Sequence, residues 1–170
     1  MLAYLIIYVS RFDYIQGRIF SFFNRETGTH NFQSDKAIES ITSGGFFGKG
    51  IGEGVLKNRV PEAHTDYIIS VISEEFGVIL IMLILLTYLV LIFSVLKKVY
   101  KENDKKIKLI LTGSISLILM QAMIHIGVNI RLFPTTGMTL PFLSYGGSSI
   151  ISISIMSGII LNLTKRKITE

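Results

Sequence analysis

Three uncharged runs leave this chain few folds to choose from. Residues 76–96 contain no Asp, Glu, Lys or Arg, and neither do residues 109–130; residues 132–164 are also uncharged, although Pro134 and Pro141 divide them. A helix needs roughly 20 apolar residues to cross the ~30 Å hydrocarbon core, and helices and closed barrels are the only structures that satisfy their backbone there. The expectation is an all-α integral membrane protein, a polytopic helical bundle with transmembrane helices at 67–97, 109–130 and 145–164. Only 17% of the 170 residues are charged, and they cluster between the runs. A soluble helical core would spread its charges along every element instead.

The placement of charge orients the bundle. Residues 97–108, "KKVYKENDKKIK", hold six lysines and two acids, and "KRK" follows the last run. The positive-inside rule puts both on the cytoplasmic side. Residues 25–66 then form a large extracytoplasmic loop, and 131–144 a short one. The lysines read as solvated and orienting, and nothing supports nucleic-acid binding. The first residues, "MLAYLIIYVSR", make about half a span. With no basic n-region and no small-residue cleavage site, they make a poor signal peptide. Residues 1–9 are expected to end a truncated span, so that the chain is the C-terminal part of a larger fold. Residues 10–24 place Phe12, Ile15, Ile19 and Phe23 at helical spacing, as an interfacial amphipathic helix does. The absence of cysteine excludes disulfides and thiolate metal sites.

Chemistry gathers in the large loop and at its exit. Ser34 or Asp35 is placed to cap a short helix through Ser43. Six glycines follow between 44 and 54, a loop whose backbone N–H groups could approach an anion. "GKGIGEG" is a weak nucleotide signature, because no strand precedes it and the loop is expected to face away from the cytoplasm. A diphosphate on a membrane lipid suits it better, with Lys49, Lys57 and Arg59 nearby; the alternative is a flexible turn with solvated lysines. Next comes "RVPEAHTDYIISVISEEFG", which packs Glu62, His64, Asp66, Glu74 and Glu75 into the approach to the most apolar run. Thr65 or Asp66 can cap the helix, and Glu74 and Glu75 suit its positive end. A continuous helix over 66–76, about 15 Å long at ~1.5 Å per residue, would carry the acids along the outer membrane face. Acids at that depth mark wet cavities, and a partly desolvated carboxylate there can act as a general base.

The second run adds Gln121, His125 and Asn129 on one helical face. Hydrogen bonding between helices explains them most simply, and proton carrying by His125 is the alternative. The histidines are too scattered for a metal site. Two prolines flank "TTGMTL" in a non-helical turn, tolerated at membrane depth only when buried or lining a cavity. That turn is a candidate second wall opposite Asp66. Gly146 to Ser149, and the Ser154–Gly158 pair, permit close helix approach.

Two long motifs then carry a family resemblance. "GGFFGKGIGEG…VPEAHTDYIISVISEEFG" resembles the external-loop signature of the SEDS family (shape, elongation, division and sporulation), and "LFPTTGMTLPFLSYGGSS" resembles its second signature. The resemblance covers roughly residues 30–165. "DKAIESITSGGFFGKGIGEG" and "NIRLFPTTGMTLP" look more like the division (FtsW-type) branch than the elongation (RodA-type) branch. The resemblance implies a fold of about ten spans and an inverting peptidoglycan glycosyltransferase. Its substrate would be lipid II, an undecaprenyl-diphosphate disaccharide-pentapeptide, polymerised on the outer face of the bacterial cytoplasmic membrane. It makes Asp66 the catalytic base and Lys49 a diphosphate contact. Lys57, Arg59, Glu62, His64, Glu75, Arg131, Ser144 and Tyr145 join Lys49 as expected substrate-binding residues. A class B penicillin-binding transpeptidase and other divisome proteins are the implied partners. No cofactor is implied beyond a possible divalent cation. Three positions depart from the pattern: Tyr67 stands where Phe is usual, Thr136 where many division members have Lys, and His125 where Asn is frequent. The rival functions are a lipid II flippase, which would need access from both faces, and a non-catalytic divisome scaffold.

Overall fold

A computed structural model describes Gly17, residues 29–60 and residues 62–165. The expected end of a span at 1–9 lies outside the described residues, as does the interfacial helix at 10–24 apart from Gly17, which is helical. Every regular element among the described residues is a helix: α1 (Thr29–Gly44), α2 (Leu56–Arg59), α3 (Ile68–Lys101), α4 (Lys105–Asn129) and α5 (Gly147–Thr164). Of these, α3, α4 and α5 are long and apolar enough to cross a membrane.

Their bounds differ from the sequence expectation for local reasons. Both α3 and α4 run several residues into the lysine-rich stretch, leaving only Glu102, Asn103 and Asp104 between them. Lysine is a good helix former and can stretch its charge out to water. Asp104 makes so short a turn possible, because its side chain accepts the Lys106 backbone N–H at 2.8 Å and caps α4. The first described helix starts at Thr29, ahead of the expected cap, and the Asp35 carboxylate pairs with Arg131 of the distant short loop. The Ser154–Gly158 pair of α5 is exposed and contacts no described helix.

The departure that shapes the molecule is a break inside α3. Gly77 has φ +79° and ψ −179°, a conformation essentially confined to glycine. The break separates a short helical piece, 68–76, from the span proper, 78–101, which is about 36 Å long at roughly 1.5 Å per residue. The expected continuous helix from Asp66 into the span is therefore not formed.

Three apolar clusters hold the elements together. Ala37 of α1, Leu56 of α2, Val60, Ala63, Tyr67, Val71 and Val128 of α4 close the loop end. Ile69, Ala122 and Leu140 fill the middle, with Ile81 and Tyr88 against them. Val95, Leu111, Ile115, Ile118 and Ile160 join α3, α4 and α5 at the lysine-rich end.

Candidate functional site

The glycine-rich loop docks on the break in α3. An unbroken helix would bond the N–H of residue 78 to the carbonyl of 74, and that of 79 to that of 75. At Gly77 these pairs come apart, and the loop supplies each lost partner. Val78 donates to the Gly45 carbonyl (3.0 Å) and Ile79 to that of Phe46 (3.4 Å). The carbonyls of Glu74 and Glu75 accept from Lys49 N (2.8 Å) and Gly50 N (3.1 Å). The glycines are what allow this approach. A Cβ at Gly48 would stand 2.2 Å from the Glu75 carbonyl oxygen, and one at Gly77 2.2 Å from that of Phe46. Two backbone N–H groups of the glycine-rich loop are thus bonded to a helix rather than open to an anion.

Glu74 is the second tie. It is 2% exposed. One carboxylate oxygen accepts Lys49 Nζ at 2.9 Å; the other accepts the backbone N–H groups of Val55 (3.1 Å) and Leu56 (3.0 Å). The acid therefore pins the loop and the start of α2 to the short helical piece. Glu75 is half-buried beside Gly54, where a Cβ would come within 3.0 Å of Glu75 Cγ.

Around this tie lies a polar cavity of about 160 Å³ lined by Lys36, Glu39, Ser40, Ser43, Lys49, Arg59 and Glu74. Lys36 pairs with Glu39 and Lys49 with Glu74. The Lys36 charge holds the Glu39 carboxyl below its ordinary range. Arg59 is exposed and has no hydrogen bond or ion pair with the described residues. The Lys57 side chain lies outside the description. Arg131, with φ +60°, is paired to Asp35. Of the cations expected to meet a diphosphate, Lys49 and Arg131 are therefore in ion pairs, whereas Arg59 acts on Glu39 only through its charge across the cavity.

Asp66 sits on a different support. Its turn is closed by the Glu62 carbonyl, which accepts the N–H of Thr65 (3.2 Å) and Asp66 (3.0 Å) and the Thr65 hydroxyl (3.1 Å). Neither Thr65 nor Asp66 caps α3, contrary to expectation; Tyr67 holds that position without a side-chain cap bond. The cap comes from across the bundle. Asn129, fully buried at the end of α4, accepts Ser70 N (3.3 Å) and Ser70 Oγ (2.8 Å) on its amide oxygen. Its amide nitrogen donates to the carbonyls of Asp66 (2.9 Å) and His125 (2.9 Å).

The rest of the polar face of α4 holds the 131–146 segment. Gln121 donates to Thr139, and His125 Nδ1 lies 2.7 Å from the Met138 carbonyl, which can only accept. Nδ1 therefore carries the proton. His125 Nε2 is buried and has no hydrogen-bond partner among the described residues. The hydrogen-bonding explanation of this face holds, and the ring nitrogen that faces the loop serves a carbonyl. Ser144 Oγ accepts Leu140 N (2.8 Å) and donates to the Thr65 carbonyl (2.7 Å), and Tyr145 N donates to the His64 carbonyl (3.1 Å). Tyr88 of α3 donates its hydroxyl to the Pro141 carbonyl. Ser144 and Tyr145 therefore act here as fasteners between the two motifs. The side chains of Glu62, His64 and Tyr145 are exposed.

These ties bring the expected second wall to Asp66. Gly137, with φ +71°, is close enough that a Cβ on it would stand 3.7 Å from Asp66 Oδ2. Asp66 is half-buried, at the seam of the two motifs. Among the described residues no three His, Asp or Glu side chains gather as a metal site. Sequence reasoning missed the tie at Glu74 and the cap from Asn129. A glycine two residues after a pair of acids in a helical run, "EEFG", was the available sign of the break.

Comparison with known proteins points one way. A family model described as "Cell cycle protein" (FtsW/RodA/SpoVE) matches residues 1–168. A Caulobacter vibrioides protein named "Probable peptidoglycan glycosyltransferase FtsW" is 40% identical over 157 residues, covering 92% of this chain and 40% of the relative. The Bacillus subtilis "Stage V sporulation protein E" is 40% identical over 135 residues, 79% of this chain and 37% of that protein. A solved structure described as "Structural coordination of polymerization and crosslinking by a peptidoglycan synthase complex" superposes with a TM-score of 0.67 at 25% identity, over 89% of this chain and 41% of that one. The chain spans about two-fifths of the length of the relatives it matches. The two motifs, the helical membrane fold and these matches agree: the chain belongs to the FtsW/RodA/SpoVE family of cell cycle proteins.

Proposed function

We propose that this chain carries the catalytic aspartate of an inverting peptidoglycan glycosyltransferase that polymerises lipid II during septal wall synthesis. The observation that supports it most is Asp66 itself. It is a half-buried carboxylate on a turn bonded to both motifs, with Gly137 close opposite. Asp66 takes the proton from the acceptor GlcNAc 4-hydroxyl as that oxygen attacks the donor's anomeric carbon. The new C–O bond forms as the bond to diphosphate breaks, and undecaprenyl diphosphate leaves with the electron pair. Arg59, exposed at the cavity and in no ion pair among the described residues, is the cation proposed to meet the diphosphate. A divalent cation, where one takes part, arrives with that diphosphate. A class B penicillin-binding transpeptidase and divisome proteins are the proposed partners.

The orientation follows from the lysines: the site faces outward across the cytoplasmic membrane, and the C-terminus is cytoplasmic. The chain has no cysteine, so single cysteines at the exposed positions Glu53 and Asn103 report topology without background. An impermeant maleimide on intact cells should label Glu53→Cys and spare Asn103→Cys. The reaction is tested with Asp66→Asn in the complete protein with its transpeptidase. Glycan polymerisation should fall by ~10²–10⁴-fold, the usual value of general-base assistance. Glycan chains formed at the wild-type rate would remove Asp66 from the chemistry.

A further inference from the structure

The loop docked on the α3 break carries apolar side chains that no described residue covers. Phe46 is 73% exposed, Phe47 84% and Ile51 80%. They do not hang on a loose loop. Gly45 and Phe46 accept hydrogen bonds from Val78 and Ile79, and Lys49 and Gly50 donate to Glu74 and Glu75. These bonds fix the height of Phe46 and Phe47 at the first turn of the span proper, where the uncharged run begins. The apolar surface continues down α3 through Val78, Ile79, Met82 and Leu83, all exposed. The Lys49 ammonium is held by Glu74, so the one cation between Phe47 and Ile51 is paired with protein. Phe and Leu side chains of interfacial segments bury into the boundary where headgroups meet acyl chains.

We infer that Phe46, Phe47 and Ile51 form a membrane anchor, with the loop tip seated in the interfacial layer of the leaflet on its own side. The occupant of this surface is lipid. The anchor is bonded through backbone to residues 74–79, so it sets the depth at which the short helical piece, and with it the Asp66 turn, rides on the bilayer. This inference concerns seating alone and stands apart from the proposed reaction.

The chain contains no tryptophan, so Phe47→Trp introduces a single emitter at an exposed site. The variant is reconstituted in phosphatidylcholine vesicles containing lipids brominated either near the carbonyl end or near the methyl end of the acyl chain. Leu86→Trp, on the exposed face of the span, serves as the deep reference. Phe47→Trp should emit at blue-shifted wavelengths and be quenched more by carbonyl-end bromines than by methyl-end bromines, with the opposite order for Leu86→Trp. Water-like emission would overturn the anchor. So would blue-shifted emission quenched by neither lipid, because protein would then cover the tip.

Discussion

Asp66 and Glu74 lie on the same short stretch of chain, two turns of helix apart, and the fold treats them in opposite ways. Glu74 is enclosed, and each of its oxygens accepts from a donor: an ammonium on one, two backbone N–H groups on the other. Asp66 is half-buried on a turn whose backbone is bonded to Glu62 and Asn129, and Gly137 stands close to its carboxylate. A buried carboxylate surrounded by donors is stabilised as an ion and locked in place; it has little basicity to offer. On the proposed reaction, the contrast gives Glu74 a structural part and Asp66 the chemical one.

Amide substitutions at the two acids give the largest expected contrast. Asp66→Asn should cost ~10²–10⁴-fold in polymerisation and change thermal stability in detergent far less, because asparagine keeps the shape and one acceptor oxygen of the side chain. Glu74→Gln should do the reverse. Its amide presents a donor where the pocket offers only donors, costing about 2–3 kcal/mol, the scale of hydrogen bonds to a charged group. Folded Glu74→Gln protein should still polymerise. Turnover lost at Glu74 with unchanged stability would exchange the two roles.

Gly77→Ala tests the support beneath Glu74. The added Cβ would meet the Phe46 carbonyl at 2.2 Å in a backbone conformation that L residues avoid. Backbone strain of this kind costs ~1–3 kcal/mol, and the loop's bonds to Val78 and Ile79 weaken as well. We expect a loss of about 3 kcal/mol and protease sensitivity appearing first within 44–54. A variant as stable as wild type would mean that the helix heals across the break without the loop.

Much of this was legible in the sequence, and what was not has a physical cause. The three spans follow from uncharged length alone. The nearness of the two motifs at Asp66 was expected from the non-helical turn between Pro134 and Pro141. Local rules failed where a distant group took over a local task. Thr65 and Asp66 were reasonable caps for α3, but Asn129 supplies the bond to Ser70 from 59 residues away. The glycines of 44–54 were reasonable anion donors, but their value lies in letting one backbone touch another. No periodicity or propensity carries that information, because it depends on which helix end the loop meets.

Asn129→Asp sharpens the Asp66 side of the comparison with a smaller effect. Aspartate can still accept from Ser70, but it cannot donate to the carbonyls of Asp66 and His125. Leaving buried carbonyls unpaired costs ~1–3 kcal/mol, so about 2 kcal/mol of stability should go. Because the lost bond holds the Asp66 main chain, kcat should also fall while the KM for lipid II changes little. A stability loss without any loss of kcat would mean that the turn at Glu62 positions Asp66 unaided.

Tyr67→Phe should have the smallest effect, and it tests whether the chain's mild departure beside the aspartate matters. The Tyr67 ring is fully buried in the cluster that joins α1, α2 and α4, and phenylalanine would keep that packing. What it would lose is the hydroxyl, whose contact with Ser34 Oγ is long, at 3.4 Å. A neutral hydrogen bond of good geometry contributes about 0.5–1.5 kcal/mol net, and so long a contact belongs at or below the lower end. Ser34 is half-buried rather than enclosed, so water can reach its hydroxyl after the change. The expected loss is therefore no more than about 1.5 kcal/mol, with polymerisation unchanged. The informative result is a large effect. A drop in turnover at unaltered stability would mean that the Tyr67 hydroxyl, adjacent in the chain to Asp66, contributes to the site through a contact other than Ser34. The aspartate would then share its task with the neighbouring hydroxyl.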